Sequence, residues 1–218
     1  MALSARELGL IAPRLRGARV LSLGYPDLLA TAAEVEALLG VRPAKFTPFG
    51  RWHGRADPLP ETLHVFEAVG ATLDCVDVHP SRGVERFADL NHPCRLGSYD
   101  LVLDPGTIEH CFNAGQALLN AAGAVRPGGA IFHAAPLSRG NHGFYNFNPT
   151  LFHDFYTQNG WEIEVLKGIS RQGAFRVPPS ERFEAPPEAV LHCLARRLSD
   201  RALVIPRQSK YLRNPDLA

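Results

Sequence analysis

The stretch from Tyr99 to His133 constrains this chain more than any other. It reads as a buried strand (YDLVLDPG, 99–106), a helix opening at Thr107, a Pro-Gly-Gly stop at 127–129 and a second buried strand (AIFHAAP, 130–136). Ile108, Phe112, Leu119 and Ala122 keep a helical stripe between the two strands. Strand, helix and strand in that order make a parallel unit, and open α/β sheets bind ligands at the carboxyl ends of their strands. Asp104, Glu109 and His110 fall at that end, in the strand-to-helix turn.

The alternation continues on both sides. ARVLSL (18–23) predicts a first strand ending at Gly24, and TAAEVEALLG (31–40) a helix stopped by Gly40. ETLHVFEAVG (61–70) predicts a second helix and ATLDCVDV (71–78) the next strand. Asn148-Pro149 is a cap and first-turn pair for a helix through Gln158, after which Trp161, Ile163 and Val165 alternate as a strand. AVLHCLARRLS (189–199) and ALVIP (202–206) predict two last strands, paired as a hairpin at the sheet edge. The expected fold is α/β: a three-layer sandwich around a doubly wound, mostly parallel, seven-stranded sheet with an antiparallel last strand. No linker or repeat divides residues 1–218, so one domain is expected, with an irregular and helical insertion at 41–70.

Composition excludes several classes. A net charge of +1 over 218 residues gives no basic face for nucleic acid. No apolar run is long enough to span a bilayer, and the first twenty residues lack the apolar core of a signal peptide. The four cysteines form no CxxC pair and suit a reducing, cytoplasmic compartment. His133, His142 and His153 are too widely spaced for a local metal motif, so no metal is expected. Gly24 is followed by Tyr25-Pro26-Asp27, with neither GxGxG nor GxxxxGK[ST], which argues against dehydrogenase and kinase readings.

The remaining candidates lie at strand ends. Asp77 can accept from a ribose diol, although an Asp after a strand also caps its own loop. Asp89-Leu90 can hold an adenine edge, and Gly24 lets backbone approach a ligand. Tyr145 and Asn146 form a polar-aromatic loop suited to substrate. Arg42, Lys45, Arg51, Trp52, His53 and Arg55 make a basic, aromatic loop that suits either a lid or a solvated surface.

Taken together, VLSLG (20–24), LDCVDV (73–78), DLN (89–91) with YDLVLDPGTIEHCFN (99–113), and VRPGGAIFHAAP (125–136) resemble the class I S-adenosylmethionine-dependent methyltransferases of small-molecule type. The continuation HGFYNFNPTLFHDFYTQNGWEIE (142–164) resembles them too, so the likeness runs roughly from 18 to 166. The resemblance implies S-adenosylmethionine as cofactor and a small metabolite as methyl acceptor at oxygen or nitrogen. It places Gly24 at the methionine part of the cofactor, Asp77 at the ribose, Val78 against adenine and Asp89 with Leu90 at the adenine edge. Asp104, Pro105 and Gly106 would wall the methyl group, and His110 and His142 are the candidate bases. The first glycine-rich loop is reduced to Gly24, which opens a second reading: a methyltransferase-like interaction protein that has lost the cofactor.

Overall fold

The computed structural model describes residues 1–214. The apolar runs become strands, and the helical stripes become helices on both faces of one sheet. In chain order the elements are β1 (Ala2–Ser4), α1 (Ala5–Ile11), β2 (Arg19–Leu23), β3 (Asp27–Leu29), α2 (Ala32–Leu39), β4 (Phe46–Thr47), β5 (Leu59–Pro60) and α3 (Thr62–Ala68). There follow β6 (Thr72–Asp77), β7 (Arg86–Phe87), β8 (Tyr99–Asp104), α4 (Ala114–Gly123), β9 (Val125–Pro136), α5 (Pro149–Gln158), β10 (Glu162–Ser170), β11 (Gly173–Arg176), β12 (Val190–Arg196) and α6 (Ser209–Arg213).

The main sheet has the order β11-β10-β12-β9-β8-β2-β6-β7. From β9 to β7 the pairs are parallel, while β12 runs antiparallel between β9 and β10. The sheet therefore has eight strands rather than seven, because Gly173–Arg176 turns back on β10. The predicted partner of β12 at 202–206 is no strand at all. Its backbone is held by side chains instead: Val204 N–H donates to Asn159 Oδ1 and Val204 O accepts from Asn159 Nδ2.

Alternation along the strands builds two cores. Val20, Leu101, Leu103 and Phe132 pack under α1, α2 and α3, with Leu8, Val35 and Phe66. Leu21, Leu23, Val102 and Ile131 pack under α4 and α5, with Leu118, Phe152 and Tyr156. Helices on both faces explain why β8 reads as nearly continuous apolar sequence. Capping boxes open α1 (Ser4 with Glu7) and α2 (Thr31 with Glu34).

Two local predictions are corrected. Thr107 opens a single 3-10 turn, Ile108–His110, and the helix proper starts later, capped by Asn113. Asn148 precedes α5 but makes no side-chain cap bond. Chain direction fixes where a ligand can lie. From β2 the chain builds outward through β6 and β7, then crosses back to β8 and β9 on the other side. The reversal falls between β2 and β8, and the crevice of a doubly wound sheet opens at the carboxyl ends of such strands.

Candidate functional site

At that reversal β2 ends in Gly24, whose φ of +78° is in the left-handed region. Thr107 Oγ1 donates to the Leu23 carbonyl and so ties the turn after β8 to the end of β2. The space over Gly24 is filled by Met1: a Cβ added there would overlap Met1 Cε. Met1 reaches this place because β1 pairs in parallel with β3, just beyond Pro26. Tyr25 turns elsewhere, donating its hydroxyl to Glu61 at the start of α3.

The other predicted cofactor residues line up along the same edge of the sheet. Asp77 ends β6, and its Oδ1 accepts from His79 N–H at 3.0 Å. Val78 is exposed beside it. Asp89 follows β7 and accepts from both the backbone and the side-chain amide of Asn91, while Leu90 is buried. The loop after β6 folds Arg82 over the rings of Phe49 and Trp52, with its guanidinium paired to Asp27. This anchors the basic, aromatic loop predicted at 42–55.

A cavity of about 750 Å³ opens next to this edge. Pro105, Gly106, Glu109, His110 and His142 form one side, and Met1, Arg6, Glu34, His53 and Arg55 another. The two candidate bases, His110 and His142, thus stand in one wall, their ring centroids 5.3 Å apart. Burial lowers the pKa of both imidazoles, which favours their neutral form. Between them lies Glu109, its side chain 1% exposed, with Oε1 at 3.5 Å from His142 Nε2 and 4.0 Å from His110 Nε2. Glu109 Oε2 is buried without a partner. Burial, then the charge of Asp104, push its carboxyl up to about 8.

Asp104 is not in that wall; it is fully buried. Its Oδ1 accepts from Thr107 and Ile108 N–H, and its Oδ2 lies 2.7 Å from His133 Nδ1. His133 Nε2 meets the Tyr156 hydroxyl, whose pKa burial drives well above its usual value. A carboxylate only accepts, so His133 Nδ1–H donates to Asp104 while Nε2 pairs with the Tyr156 hydroxyl. His133 carries no role in the sequence pattern, because it sits in an apolar strand. Register supplies the missing signal, since Asp104 and His133 are partners across β8 and β9.

Tyr145 and Asn146, the predicted substrate residues, fasten the loop after β9. Tyr145 Oη donates to the Phe112 carbonyl and Asn146 Oδ1 accepts from Arg139 N–H. Neither lines the cavity. A second cavity, of about 580 Å³, opens by Pro149, Arg182 and Lys210. No helix among the described residues is long and apolar enough to cross a membrane.

A doubly wound sheet of this order, with one antiparallel strand inserted next to its last parallel one, is the class I, Rossmann-like α/β fold that the sequence resemblance implied. No protein-family model and no curated protein matches the chain. Solved structures similar to it include TehB from Haemophilus influenzae (11% identity, 88% of this chain and 62% of that one, TM-score 0.45). A second is 1,6-didemethyltoxoflavin-N1-methyltransferase from Burkholderia thailandensis, solved with bound 1,6-didemethyltoxoflavin and S-adenosylhomocysteine (18% identity, 89% and 78%, TM-score 0.48). A third is a SAM-dependent methyltransferase from Thermotoga maritima (13% identity, 89% and 91%, TM-score 0.38). The chain spans less than two thirds of the TehB chain. At these identities and TM-scores the fold assignment rests on the strand order itself.

Proposed function

We propose that the chain transfers a methyl group from S-adenosylmethionine to an oxygen or nitrogen of a small metabolite. The observation that carries this reading is the alignment of Gly24, Asp77 and Asp89 at the carboxyl ends of three neighbouring strands, beside a cavity walled by His110 and His142. Asp77 would hold the ribose, Asp89 and Leu90 the adenine edge with Val78 against the ring, and Gly24 the methionine part. The ribose and adenine positions fit, because Val78 is exposed and Asp77 commits one oxygen to its own loop. The methionine position fits once the flexible end of Met1 swings off Gly24. When bound, the cofactor supplies an electrophilic methyl group. The chain's own part would be to align the acceptor in the cavity and to take its proton, the role proposed for His110 and His142.

Calorimetry with S-adenosylhomocysteine tests the reading. Binding is expected, and Asp77→Ala should weaken it about tenfold or more, the worth of about 1.5–3 kcal/mol for a hydrogen bond to a charged group. Absence of binding at millimolar ligand, with the Met1 side chain in place and with it removed, overturns it.

Met1 on Gly24 and the Thr107 bond to Leu23 favour a second reading, a methyltransferase-like protein whose cofactor site has closed. Met1→Ala separates the two. A gain in S-adenosylhomocysteine affinity supports a cofactor site gated by Met1, and continued absence of binding supports the closed site.

A further inference from the structure

We propose that Glu109, His110 and His142 form a binding site for a divalent first-row transition-metal ion that opens into the cavity. Sequence spacing conceals it, because Glu109-His110 lies on the turn after β8 and His142 on the loop after β9. The fold closes that separation: Phe144 N–H donates to the Glu109 carbonyl, and a Cβ at Gly143 would come within 2.8 Å of the same oxygen. A Cβ at Gly106 would lie 3.1 Å from Glu109 Oε1, so backbone closes on Glu109 at its carboxylate from Gly106 and at its carbonyl and Cγ from Gly143.

One ligand atom from each of the three residues lies within 4.8 Å of the others. Nitrogen and oxygen atoms bound at about 2.1 Å to one ion stand about 3–4 Å apart. The 3.5 Å and 4.0 Å separations from Glu109 Oε1 already match that spacing. Two imidazoles and one carboxylate suit Zn²⁺, Fe²⁺ or Co²⁺ better than Mg²⁺ or Ca²⁺, which prefer all-oxygen sites.

The second observation is Glu109 itself. Its side chain is 1% exposed and its Oε2 has no partner. Buried carboxylates are ordinarily paired or bind metal. No lysine or arginine forms an ion pair with this one among the described residues: Arg139 and the Met1 amino group act on it only from farther away, and the groups within 4.0 Å are the two imidazoles. A cation at the vertex of the three residues supplies the missing partner. Both histidines are partly exposed toward the cavity, which leaves coordination positions for an oxygen of the acceptor. The ion site stands on this geometry alone. Its use, binding an acceptor hydroxyl and easing loss of its proton, rests on the methyl-transfer reading.

Titration of the metal-free full-length protein with Co²⁺, followed by visible absorption and repeated with Zn²⁺ in the calorimeter, tests the site. One equivalent should bind, with the absorption of a low-coordinate Co²⁺ centre. His142→Ala should lower affinity on the order of 100-fold, since even supporting residues of metal sites are worth about 10–100-fold. His142 is on an exposed loop, so this variant tests the site even if Glu109→Gln fails to fold. His79→Ala, outside the cavity, should change nothing. No binding at millimolar Co²⁺, or binding that survives His142→Ala unchanged, overturns the proposal. S-adenosylhomocysteine calorimetry without metal reads the cofactor separately, so the two claims fail independently.

Discussion

Two carboxylate–histidine groups lie on either side of Gly106. In the first, Asp104, His133 and Tyr156 are fully buried and every polar atom has a partner. In the second, Glu109 is as buried, yet one oxygen has no partner and its two histidines face a cavity. The residue types are nearly the same. Completeness separates them: a satisfied network rigidifies a core, whereas an unsatisfied buried carboxylate costs stability and waits for something to bind. Stability given up at one place and regained elsewhere is the usual mark of a site.

Mutation can break that contrast. The largest effect is expected from Asp104→Ala, which strands His133 Nδ1–H and the amides of Thr107 and Ile108 in the core. A loss of about 3–5 kcal/mol in urea denaturation is expected, as for a buried pair deprived of one member. Tyr156→Phe removes one bond and leaves His133 Nε2 buried and unpaired, for about 1–3 kcal/mol in the same assay.

Glu109→Gln should go the other way. The folded protein holds this carboxyl at about 8, above its ordinary 4.5. Its ionised form therefore costs nothing below pH 4.5, and the cost grows as pH rises from there to about 8. The variant should match the wild type at the acid end of that window and exceed it in thermal midpoint at the alkaline end, in metal-free buffer. A Glu109→Gln protein destabilised as much as Asp104→Ala would erase the distinction between the two groups. The smallest effect sharpens it: Asp89 and His92 also pair, at 3.7 Å, but at the surface. His92→Ala should leave the urea denaturation midpoint essentially unchanged, as exposed pairs do.

The sequence made some of this legible and hid the rest for physical reasons. β8 and the second half of β9 announced themselves because helices cover both faces and demand apolar residues at nearly every position, whereas β2 and β6 show shorter apolar runs, Val20–Leu21 and Cys75–Val76. His110 and His142 could be placed at the ligand edge because strand ends follow from strand order. The strand formed by Ala2–Ser4 could not be foreseen, since three residues become a strand only by pairing with Asp27–Leu29. Met1 over Gly24 follows from that pairing and was hidden with it. ALVIP has the composition of a strand, but Asn159 takes both backbone groups of Val204 and Gln158 those of Arg207 just beyond it, so no ladder forms. By sequence Glu109 is only one polar residue of the turn after β8. Only the return of the loop at Gly143 shows that its carboxylate is enclosed without a partner.

Hydrogen exchange with and without saturating S-adenosylhomocysteine tests most directly that the ligand edge is where polar groups remain unspent. New protection is predicted at 24–28, 77–79 and 89–91, with the Asp104–His133–Tyr156 core unchanged. Protection confined to the second cavity near Pro149 and Arg182, or no protection at the strand ends, would contradict the account.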